Sequence, residues 1–95
     1  MKEIVLEGAG WKKPDDVYDA FFRAVGAPRW HGRNFNALRD SIGVGRINTV
    51  EVPYVIRLKS YSLVGPEAKG VTDEFVELIK GLRNSGCPVD ISVED

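Results

Sequence analysis

One histidine and one cysteine, His31 and Cys87, limit the nucleophilic and metal chemistry open to this chain. Any Ser–His–Asp or Cys–His arrangement has to run through His31, which lies in a loop with no companion base or nucleophile in its pattern. Cys87 falls between a helix stop and a strand, a place for a small buried hydrophobe. A metal site would have to be built almost wholly from carboxylates, so none is expected. Two acid pairs, Asp15-Asp16 and Asp73-Glu74, read as first-turn helix acids that favour the positive end of the helix dipole. Gly8-Ala9-Gly10 follows an apolar run like a fragment of a phosphate loop, but no Gly-Lys-Ser/Thr follows and the third glycine of a dinucleotide fingerprint is missing. These residues point away from an enzyme and from any cofactor.

The segment with a distinctive chemical character is 27–46. Arg29, Arg33, Arg39 and Arg46 stand there against Asp40 alone, a net +3, with Trp30, His31 and Phe35 among them. Basic residues interleaved with aromatics suit a nucleic-acid surface. They suit a protein–protein hot spot equally, since Trp and Arg are enriched there. A solvated helix face with a tryptophan anchoring its loop is the plainest reading of the three. Over the whole chain, 13 Lys+Arg face 14 Asp+Glu, a net charge of −1. That lacks the basic excess of a general nucleic-acid binder and places a protein partner ahead of a nucleic acid.

Positioning these residues falls to a small set of elements. A chain of 95 residues, 43% hydrophobic and 28% charged, has the composition of one globular domain spanning 1–95. Its apolar runs are too short for a transmembrane helix or a signal peptide, and a single cysteine fits a reducing compartment, so a cytoplasmic location is expected. Residues 2–7 read as a first strand. Pro14-Asp15-Asp16 opens a helix on which Val17, Phe21, Ala24 and Val25 recur at helical spacing, and Gly26 and Pro28 stop it. A short helix over 34–42 carries Phe35, Leu38 and Ile42 on one side and Asn36, Arg39, Asp40 and Gly43 on the other. Residues 50–58 read as a second strand whose paired part begins near Pro53. After a variable connection in which Gly65-Pro66-Glu67 can open a helical turn, Thr72 reads as the cap of a helix carrying Val71, Phe75, Leu78, Ile79 and Leu82. Val89, Ile91 and Val93 alternate as a third strand. The order β-α-α-β-α-β predicts an α/β fold, a three-stranded parallel sheet packed against helices.

The run Trp30-His31-Gly32-Arg33-Asn34-Phe35-Asn36-Ala37-Leu38-Arg39-Asp40 resembles the barstar family, small intracellular α/β inhibitors of ribonucleases. Gly32, Asn34, Ala37, Leu38 and Asp40 keep the spacing of that family's signature. Val50-Glu51-Val52-Pro53 is similar to its approach to the second strand, and Gly86-Cys87 to its helix-to-strand junction. The resemblance implies a non-enzymatic immunity protein, without cofactor or metal, that blocks a ribonuclease or related toxin and is monomeric when free. It also implies the interface. Asp40 matches the principal inhibitory aspartate, Trp30 an aromatic that covers the catalytic centre, Gly32 and Asn34 the loop and helix start beside it, and Glu51 a peripheral acidic contact. His31, Asn36 and Arg39 complete the expected partner surface. Several family acids are replaced: Asn36 stands for an aspartate, Arg33 for a glutamate, and Gly81 and Ser85 for acidic positions on the last helix, while Arg39 stands for a tryptophan. The face is therefore expected to be nearly neutral or basic apart from Asp40, with weakened steering toward a basic enzyme. The alternative from a different class is a regulatory or nucleic-acid-associated module using the same 29–46 patch.

Overall fold

A computed structural model describes residues 2–28, 32–44 and 48–95. Lys2–Glu7 forms β1, with Ile4 and Leu6 turned inward, and a 3-10 turn over Gly8–Gly10 leads on to the buried Trp11. Gly8 lies so close to Val64 that a Cβ would stand 2.9 Å from Val64 Cγ2, so packing accounts for this glycine without a phosphate.

Helix α1 spans Pro14–Val25. Proline loses no hydrogen bond at the first helical position, and the Asp16 carboxylate accepts the backbone N–H of Lys12 at 2.8 Å and of Lys13 at 3.0 Å. Those two bonds hold the Asp16 carboxyl below its usual range. The helix ends at Gly26, whose φ of 69° is the left-handed conformation that glycine adopts without steric cost. It buries Val17, Tyr18, Phe21, Phe22 and Val25. Ala24, expected on that stripe, is exposed at its edge because the stripe is centred between Phe21 and Val25.

Helix α2 is short, Phe35–Arg39, and continues as a π-helical turn over Asp40–Val44. Strand β2 is Tyr54–Lys59, starting after the cis Val52–Pro53 peptide. Helix α3 runs Pro66–Asn84, and β3 is Val89–Val93. The 19-residue α3 corrects the expected start at Thr72. Pro66 occupies its first position, Ala68 and Thr72 are both fully buried, and the Thr72 hydroxyl donates to the Ala68 carbonyl at 2.8 Å. Apolar packing of that extra turn outweighs the roughly 1 kcal/mol cost of an interior glycine at Gly70. The correction also moves Asp73-Glu74 out of the first turn, where Glu67 stands instead.

All three strands are parallel in the order β1-β2-β3. Ile4, Ile56 and Ile91 share one register row, and Leu6, Leu58 and Val93 the next. Both crossovers step the same way along the sheet, so right-handed connections lay the helices on one face. There the sheet's inward residues join those of α1, α2 and α3 in one buried cluster. The expected helical cover is therefore one-sided. The opposite face is open, with Val5 50% exposed and Arg57 bridging Glu3 at 3.2 Å and Glu94 at 2.9 Å.

Candidate protein-binding site

Helix α2 is too short to hold its shape alone and depends on packing and a cap. Leu38 and Ile42, at 0% and 1% exposure, anchor it in the core. Phe35 sits against Tyr18 of α1 with ring centroids 5.6 Å apart. The Asn34 side chain accepts the Ala37 N–H at 2.8 Å, satisfying one of the donors a helix start leaves open. A Cβ on Gly32 would stand 2.8 Å from Asn34 Nδ2, so the glycine makes room for the cap. Gly32 and Asn34 thus act on the face by shaping its support.

On the other side Asn36, Arg39 and Asp40 are all exposed, as the periodicity predicts. The Asp40 N–H donates to the carbonyls of Asn36 and Ala37, fixing its backbone where α2 widens into the π-helical turn. Such turns recur at functional sites. Ser41, fully buried, receives the Asn48 side-chain amide on its hydroxyl. That contact sets the 48–51 turn beside the π-helical turn. The same turn is tied to the end of α1, with Val50 N–H donating to Val25 O at 2.9 Å. Glu51 is half-buried: its carboxylate accepts the Asn48 N–H at 2.7 Å, and its carbonyl accepts Lys2 Nζ at 2.7 Å. The residue expected as a peripheral contact thus also closes its own turn. Ser41 and Asn48 carry no signal in the sequence, because their pairing depends on the π-helical turn. Trp30 and His31, with Arg29 and Arg46, lie outside the described residues.

The charge of this region differs from its linear count. Arg33 Nε donates to Asp19 Oδ1 of α1 at 2.7 Å, with Asp15 3.9 Å away, and those acids raise its pKa further. Arg39 borders a groove with Asp73, Glu74 and Glu77 of α3. Folding brings Asp15 and Asp19 of α1 to Arg33 and lines a groove at Arg39 with carboxylates of α3, which the linear count of 29–46 does not show. Arg33 is the arginine of the 29–46 patch paired with acids among the described residues, which leaves that much less unpaired positive charge for a phosphate backbone. Cys87 is half-buried, and burial pushes its thiol pKa up, away from nucleophilic reactivity. Among the described residues no helix is long and apolar enough to cross a membrane.

A comparison with curated proteins finds no match. The family model described as Barstar (barnase inhibitor) matches residues 1–89. Members of that family are inhibitors, not enzymes. A match over nearly the whole chain, on a parallel α/β sheet with α2 supported from beneath, establishes that this chain belongs to the barstar family.

Proposed function

We propose that this chain inhibits a toxic or secreted ribonuclease by closing its active site, as an immunity protein in the cytoplasm of the cell that makes the enzyme. Residues 1–95 act as one domain, monomeric when free. A ribonuclease active site gathers cations to hold a phosphate, and a carboxylate on a rigid mount can take that place. Asp40 is that carboxylate. Trp30 excludes water from the covered site, and His31 adds to the contact beside it. Gly32 and Asn34 hold the helix start. Asn36 and Arg39 set which enzyme is accepted, and Glu51 lies at the rim.

One observation carries this reading: in a chain of the barstar family, Asp40 is exposed on a segment whose Leu38 and Ile42 are sealed in the core. A side chain on such a mount loses little freedom on docking, so more of its interaction energy survives as affinity. The test is titration of RNA cleavage by a panel of ribonucleases, barnase included, with the purified chain. Stoichiometric 1:1 loss of cleavage by at least one enzyme is expected. Full cleavage by every enzyme at saturating chain contradicts the reading.

A further inference from the structure

We propose that Asp19 of α1 is a positioning residue for the partner-binding segment: it clasps Arg33, so that Gly32, Asn34 and the start of α2 stand ready before a partner arrives; this rests on the inhibitor reading and deepens it. Arg33 lies between Gly32 and Asn34, the two residues that shape the helix start. Its Nε donates to Asp19 Oδ1 at 2.7 Å, and its Nη1 stands 3.9 Å from Asp15 Oδ2. Asp15 and Asp19 are one turn apart on α1, so the two carboxylates flank one guanidinium. Among the described residues, the other hydrogen bonds of Gly32–Asn34 run to α2 itself, where Asn34 accepts the N–H groups of Ala37 and Leu38. Arg33 is therefore the hydrogen-bonded link from this stretch to α1.

Helix formation alone does not account for the acid end of this clasp. Asp19 stands midway along α1, beyond the first turn, where aspartate is a poor helix former and no N-terminal donor needs it. Nor does apolar packing replace the pair. A cleft of about 700 Å³ opens between Arg33 and the end of α1, with Phe22, Ala27 and Pro28 along its wall. An exposed ion pair adds little to the stability of a fold, because two long side chains lose freedom in making it. Docking would otherwise demand that loss from the segment, so meeting it in the free chain leaves more affinity. The gain cannot exceed the strength of the pair itself, which sets it at about threefold.

The test is a double-mutant cycle on D19A and R33A with two readouts. One is hydrogen exchange at the Ala37 and Leu38 amides of the free chain. The other is affinity for a ribonuclease that the chain inhibits in the panel above. Each single variant should speed exchange and weaken binding about threefold, and the double variant should do no more than either. The charge-exchanged D19R/R33E chain should regain both, because the pair can form with its signs reversed. Binding weakened by R33A alone makes Arg33 a direct partner contact and overturns the clasp. Binding weakened by D19A alone traces the effect to freed positive charge on Arg33 and overturns it too. Additive losses that the exchange does not rescue, or faster amide exchange with affinity unchanged, also overturn it. If no ribonuclease is inhibited, the inhibitor reading fails separately, and the exchange cycle by itself supports or overturns the clasp.

Discussion

Replacing Asn34 with alanine tests whether the candidate interface depends on its support. The side chain accepts one hydrogen bond, from the Ala37 N–H at 2.8 Å, at the start of a five-residue helix. Loss of such a cap costs about 1 kcal/mol. The backbone bond from Leu38 N–H to Asn34 O at 3.1 Å remains, so the first turn should fray without α2 leaving the core. For a domain of this size, that cost lowers Tm by about 4–8 °C. Asn34→Asp keeps the acceptor and should stay near wild type. Gly32→Ala should act on the same bond, because its Cβ would meet the Asn34 amide at 2.8 Å. The double variant should therefore lose less than the sum of the two single losses. Urea unfolding gives the free energies, and hydrogen exchange at the Ala37 amide locates the loss. With Asp40 intact, partner affinity should still fall about fivefold as the helix start loosens. An Asn34→Ala variant within about 0.3 kcal/mol of wild type, or additive behaviour with Gly32→Ala, would refute the account of the cap.

Three further outcomes follow from the same packing. Leu38→Ala, at a fully buried position, should cost about 2–5 kcal/mol in denaturant unfolding; a loss below 1 kcal/mol would mean that α2 is not anchored through the core. Thr72→Asn, which would suit a helix cap, should destabilise by about 2 kcal/mol because it places an amide in the buried middle of α3; a neutral result would restore the later helix start. Arg57 lowers the Glu94 pKa, as the Lys12 and Lys13 N–H groups lower that of Asp16, so both carboxylates stabilise the fold above the ordinary carboxylate range and lose that contribution as pH falls through their lowered values. The E94Q/D16N variant should therefore approach wild-type stability as pH drops below about 4, and a gap unchanged between neutral and strongly acid pH would contradict this.

Much of the fold is legible in the chain because its punctuation is local. Pro14 and Gly26 bracket α1, Pro53 marks the approach to β2, and Val89, Ile91 and Val93 alternate as a strand must. The start of α3 misleads because Gly70 and Thr72 look like a boundary while their packing lies elsewhere in the chain. The polar face Asn36, Arg39 and Asp40 is readable from helical spacing alone. Its electrostatics are not, since Asp19 reaches Arg33 from another helix and Glu74 and Glu77 reach the groove at Arg39 from a third. The one-sided sheet follows from strand order, which periodicity does not encode.

The most direct test of the central claim is calorimetric titration of an inhibited ribonuclease with wild type and with Asp40→Ala, at matched salt and with the variant's folding verified. A carboxylate desolvated in a phosphate pocket at the centre of an interface should account for at least about 2 kcal/mol of binding, a loss of thirtyfold or more. The account predicts that loss, with RNA cleavage restored at concentrations where wild type silences the enzyme. Equal affinity and equal inhibition by the two proteins would contradict it and move the site away from Asp40.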